Sequence, residues 1–227
     1  MRIRTRFFAI LSLLLGLTVF IGFARTYYLR VFFRRDALPA ALHLHGFAMS
    51  AWIALLIVQI ALVRTNRVAI HRRLGILGGV LAAAMIVLTS GAALFAARRD
   101  LAARGGTGPL RFLAIPFVDL LMFAAFVALA LWYRKRPETH KRLMLLATIV
   151  IIPAALARFP FSPAGNPWFF FGVSDLFAIA ILLFDWLARR RMHPAMLYGT
   201  LALIVTQPLR FLIGGTAMWI AFARRLV

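Results

Sequence analysis

His45, Trp52 and Gln59 follow one another at intervals of seven in an otherwise apolar run, with His43 two residues before the first of them. A helix turns about 100° per residue, so sevenfold spacing returns to nearly one face and these three side chains form a polar stripe. Near the other end of the chain His193, Thr200 and Gln207 repeat the spacing, joined by Arg210 three residues later. His140 and Arg158, 18 apart, share a line if one helix carries both, and Asp119 and Asp175 each stand early in an apolar stretch. Polar groups in hydrocarbon are costly unless paired, so they turn toward a bundle interior or a wet cavity.

Three kinds of chemistry suit this set. Asp119, Asp175, Arg158 and Arg210 can neutralise one another as structural ion pairs. Alternatively, Arg158 and Arg210 clamp a carboxylate or phosphate, with His45 and Trp52 as a wall and Asp119, Asp175 and Gln207 completing a ligand pocket. The third is b-type haem between His71 and His140, each followed by basic residues able to meet propionates. His43 and His45 cannot form a second haem site together, because residues two apart on a helix point about 200° from each other. The sequence shows no phosphate loop, H-E-x-x-H motif, nucleophile elbow or hydrolytic carboxylate pair, so neither a catalytic set nor a metal site is expected.

The elements that must position these residues are spans of a membrane. The chain has 227 residues, 63% of them apolar, with 27 Lys and Arg against 6 Asp and Glu and no Cys; its mean hydropathy is +0.91. An aqueous domain has no core large enough for that composition. Roughly seven spans of about 20 residues account for it and leave short loops, giving a single all-α polytopic domain over residues 1–227. The absence of Cys excludes disulfides, thiolate catalysis and iron–sulfur ligation. The basic residues fall between apolar runs, which suits lipid phosphates as partners and does not suit nucleic acid.

Apolar periodicity predicts spans over 7–24, 41–63, 68–97, 110–133, 140–159, 174–187 and 195–213. No small-x-small cleavage site follows Phe23, so the first span is expected to stay as an anchor. Residues 25–36 read as a headgroup-level aromatic and basic segment, 98–109 as a Gly-rich loop and 160–167, with Trp168 and three Phe, as an interfacial loop. Pro153 and Pro208 are expected to loosen backbone near Arg158 and Arg210. Gly75-x-x-x-Gly79 gives the third span a smooth side for close packing. Residues 217–227 form a final amphipathic piece or an extension of the last span. The Lys and Arg excess places the N-terminus inside and the C-terminus outside an inner membrane. His45, Asp119, Arg158, Asp175, Gln207 and Arg210 then collect in the outer half of the bundle.

His71-Arg72-Arg73-Leu74 and His140-Lys141-Arg142-Leu143 are similar helix starts, consistent with a duplicated helix pair. Together, His43-x-His45-Gly46, Trp52, Gln59, His71-Arg72-Arg73-Leu74-Gly75, Glu138-Thr139-His140-Lys141-Arg142-Leu143-Met144 and Gln207-Pro208-Leu209-Arg210 resemble a bacterial multi-helix membrane family, a domain of unknown function. The resemblance covers the second to the seventh span. More distantly, His71-Arg72-x-x-Gly75 and His140-x-x-x-Met144 with Arg158 downstream are similar to another such domain, and through it to the transmembrane dihaem cytochrome b proteins. The resemblance implies the helical fold and these positions as a site, and brings no activity with it. The expected function is binding of a small anionic or amphiphilic ligand by a protein that is not an enzyme. Haem electron transfer and a purely structural role are the alternatives.

Overall fold

Proline marks where most of the helices begin. Its ring fixes φ near the helical value, and the N–H it lacks would go unpaired in a first turn. Pro137, Pro153 and Pro194 open their helices, Pro109 lies in a first turn, Pro167 begins another and Pro39 stands immediately before one. The computed structural model describes residues 2–34, 37–160 and 166–227, and these are all-α, without strands. The elements are α1 (Arg2–Phe23), a π-turn (Ala24–Tyr28), α2 (Ala40–Arg64), α3 (Val68–Arg104), α4 (Gly108–Phe112) and α5 (Ala114–Trp132). They continue with α6 (Pro137–Ile149), α7 (Pro153–Leu156), α8 (Pro167–Arg189), α9 (Pro194–Gly215) and α10 (Ala217–Leu226).

Seven stretches are long and apolar enough to cross a membrane: Arg6–Tyr28, Ala40–Arg64, Val68–Arg104, Gly108–Trp132, Pro137–Leu156, Pro167–Arg189 and Pro194–Gly215. Mid-helix side chains such as Ile76, Val87, Leu121 and Leu201 are largely exposed on them. That is how a bundle solvated by lipid tails presents itself. The chain is thus a multi-pass helical bundle.

The chain divides into two compact units, residues 1–85 with 151–177 and residues 86–150 with 178–227. In the first, α1 packs on α2 and α7. Gly22 permits the second contact, since a Cβ there would strike the backbone carbonyl of Ala155. The turn from α2 to α3 is closed by Asn66 at φ 58°, with Arg67 N–H donating to the Leu62 carbonyl at 2.8 Å and Asn66 N–H to that of Val63 at 3.2 Å. This is a Schellman motif with Asn in the left-handed position. On α3, Gly75 faces Gln59, and a Cβ on Gly78 would lie 3.1 Å from Leu55. In the second unit α5, α6 and α9 pack on one another and α4 lies against α9 and α10. Gly199 lets α9 close onto Leu146 of α6.

Several boundaries differ from the sequence expectation, each for a local reason. α3 runs on to Arg104, because Ala and Arg sustain a helix until Gly105 at φ 64° ends it. α8 begins at Pro167, so Trp168 to Phe171 are helical and do not form an interfacial loop; the Asn166 side chain caps it, accepting from Trp168 N–H at 3.1 Å. The expected span 140–159 is interrupted over 150–152 ahead of Pro153. Arg158 lies beyond α7, and the straight line from His140 to Arg158 that 18 residues of one helix would give does not exist. Residues 217–226 form a separate helix after extended Thr216, whose hydroxyl accepts from Trp219 N–H at 3.1 Å. Of the headgroup segment 25–36 and the stretch 160–167, residues 35–36 and 161–165 lie outside the described residues.

Candidate functional site

The seven residues expected to meet in one pocket are divided between the two units. His45, Trp52, Arg158 and Asp175 belong to the first, and Asp119, Gln207 and Arg210 to the second.

In the first unit Trp52 is buried at 2% exposure and Asp175 is buried, while His45, one turn into α2, is half-buried. Arg158 follows α7 and its side chain is exposed. Its guanidinium carbon lies 4.8 Å from the centroid of the Phe23 ring, and Nη1 donates to the carbonyl of Ala154. Arg158 is close enough to act electrostatically on His45. Among the described residues Arg158 makes no ion pair. It therefore presents an exposed cation held by an aromatic face and one carbonyl. Nearby, Tyr28 and Ser50 share a 2.8 Å hydrogen bond, Tyr27 donates to the carbonyl of His43 at 3.2 Å, and Gly46 leaves room for the Tyr27 ring. Aromatic hydroxyls thus fasten the π-turn to the start of α2. Lower on α2, the Gln59 amide donates to the backbone carbonyl of His71 at 3.2 Å, while its own carbonyl oxygen is buried without a hydrogen-bond partner among the described residues.

In the second unit Arg210, 2% exposed, donates to Asp119 Oδ1 from Nε at 2.9 Å and from Nη2 at 2.7 Å. Gln207 is buried one turn before it. Asp119 thus neutralises the cation that sequence reasoning offered to a ligand. α9 stays helical through Pro208.

A second polar layer lies at the opposite end of α9, with His193 and Arg210 about 25 Å apart along it. There Arg142 and Asp185, both 0% exposed, form a forked pair. Nε donates to Oδ2 at 2.8 Å and Nη2 pairs with Oδ1. Arg142 Nη1 donates at 2.8 Å both to the side chain and to the carbonyl of Glu138, and Glu138 also takes Lys141 at 2.7 Å and Arg189. His193 caps α9 by accepting from Ala195 N–H at 3.3 Å. Burial pushes its imidazole below the usual value, helped by Arg142 and Arg189 and opposed by Asp185 and Glu138. Between the layers Thr200 is buried, its hydroxyl without a hydrogen-bond partner among the described residues.

Sequence reasoning missed this network. Arg142 stood as a boundary residue like Arg73, and both follow a histidine that is the fourth residue of its helix. The distinguishing signal is acid. Glu138 stands four residues before Arg142, where Arg73 has Ala69, and Asp185 lies in the second half of α8. Accordingly Arg142 is buried and Arg73 exposed. His71 lies in the first unit and is half-buried; His140 lies in the second, where its Nδ1 donates to the carbonyl of Ala130 at 2.8 Å. That carbonyl is left open at the end of α5 because Arg134 N–H turns to Leu131 instead, so His140 ties the end of α5 to the start of α6. No group of three or more His, Cys, Asp or Glu among the described residues is placed to hold a metal ion. No family model, curated protein or solved structure matches the chain.

Proposed function

We propose that this multi-pass protein sits in a bacterial inner membrane, N-terminus inside and C-terminus outside, and binds a small anionic or amphiphilic ligand through the end of its first unit that carries Arg158. The observation that carries the reading is charge balance. Arg142 and Arg210 each have a carboxylate partner, whereas Arg158 has an aromatic ring, a carbonyl and neighbouring His45. A guanidinium in that setting is suited to a carboxylate or phosphate bound through two parallel hydrogen bonds. Phe23 and Tyr27 supply apolar surface for the body of an amphiphile. Asp119 and Arg210 serve as a register-fixing pair within the second unit.

Titration of the purified protein with a dodecyl phosphate probe, followed by native mass spectrometry, tests this. Arg158→Ala should weaken probe retention by about tenfold or more, the loss of one charge-assisted contact, and Arg158→Lys should recover part of it. Equal retention by wild type and Arg158→Ala would end the proposal. A Soret band in the same preparation that shifts on reduction would favour the haem alternative.

A further inference from the structure

Where α9 descends on α4 the two backbones nearly touch, because Gly214 has no side chain; a Cβ there would lie 2.6 Å from the Arg111 carbonyl oxygen and 3.2 Å from Ala114 Cβ. At the next residue, Gly215, a Cβ would meet nothing within 4 Å. Beside this crossing is a groove of about 350 Å³, floored by the glycines, walled by Phe112, Ile115 and Phe211, and edged by Arg111. All of these residues belong to the second unit. The groove stands where the span Gly108–Trp132 begins and the span Pro194–Gly215 ends, which is the boundary between hydrocarbon and headgroups.

Water is a poor occupant of a cleft lined by aromatic and aliphatic carbon, because it finds too few hydrogen-bond partners. A hydrocarbon chain is the complementary occupant and is at hand in the bilayer. The charge at the rim selects among lipids. Arg111 is exposed and its guanidinium makes no ion pair or hydrogen bond among the described residues, which leaves its positive charge available to a headgroup phosphate. We infer that this groove binds a phospholipid of net negative charge, with an acyl chain along Phe112, Ile115 and Phe211 and the phosphate on Arg111. This site is separate from the one proposed around Arg158 and does not depend on it.

Gly215 allows the groove to be filled without disturbing the fold, since a side chain there meets no protein atom. The experiment is native mass spectrometry of the full chain released from bilayers of equal parts phosphatidylglycerol and phosphatidylcholine. Wild type should retain phosphatidylglycerol in preference to phosphatidylcholine. Arg111→Gln should lower that preference about fivefold, the effect of one basic residue at a lipid surface, while still retaining a lipid. Gly215→Leu should lose the bound lipid with an unchanged melting temperature, and Arg158→Ala should leave it in place. Millimolar inorganic phosphate should not displace it, which separates a lipid from a free anion. Unchanged lipid retention in Gly215→Leu, or an unchanged preference in Arg111→Gln, which keeps the glycine floor intact, would overturn the assignment.

Discussion

Arg142 shows how much a buried charge depends on its neighbours. Its guanidinium is fully buried and engages both oxygens of Asp185 as well as the carbonyl and carboxylate of Glu138. Removing one member of a buried pair leaves the other unsolvated, which costs about 3–5 kcal/mol, whereas replacing both with apolar side chains is close to neutral. Asp185→Leu should therefore lower thermal stability in detergent sharply, and Arg142→Leu combined with Asp185→Leu should recover most of the loss. Equal stability of the single variant and wild type would remove the pair from the account. Such a pair was half legible in the sequence. With 6 acidic residues in a chain of this hydropathy, each acid inside a span has to be matched to a base, and matching by that rule alone finds the correct order of pairing only when helix depth and rotation are known. Asp119 and Arg210 were legible as intramembrane charges, but their mutual contact depends on how α5 and α9 pack.

At the scale of elements, local chemistry predicted the existence of helices better than their ends. Proline and glycine fixed many boundaries through φ and the missing N–H, yet Asn166-Pro167 started α8 seven residues earlier than apolar periodicity suggested, because a cap and a proline outweigh the pattern that follows. Pro153 did more than loosen its span. It separates α7 from α6, so a spacing rule that assumes one straight helix failed for His140 and Arg158. The start of α9 carries a pH dependence of its own. His193 must be unprotonated at Nδ1 to accept from Ala195 N–H, and a positive charge at a helix N-terminus is unfavourable. Its imidazole lies below the usual value of 6.5, so the unfolded chain binds the proton more readily. The stability from this cap is full above that value and falls as pH drops through it toward the folded value. His193→Asn, which keeps a capping acceptor that does not titrate, should show a smaller loss of melting temperature than wild type between about pH 7.5 and 5.5. An equal loss in both would exclude His193 as the source.

The whole molecule follows from hydropathy most directly. An excess of apolar residues with Arg between the runs leaves lipid as the solvent for side chains such as Ile76, Leu121 and Leu201, which the fold leaves exposed. Each crossing puts the next connection on the other side of the membrane, and the reading of Arg158 as a ligand contact depends on that alternation. The native chain has no cysteine, so single introduced cysteines report sidedness without background. The direct measurement is labelling of Val31→Cys, Arg67→Cys, Arg104→Cys, Lys135→Cys and Arg191→Cys with a membrane-impermeant maleimide in intact cells. Positions 31 and 104 should react from outside, and positions 67, 135 and 191 should react only after the membrane is opened. Labelling of neighbouring connections from the same side would contradict the seven-span account, and a complete inversion of the pattern would contradict its orientation.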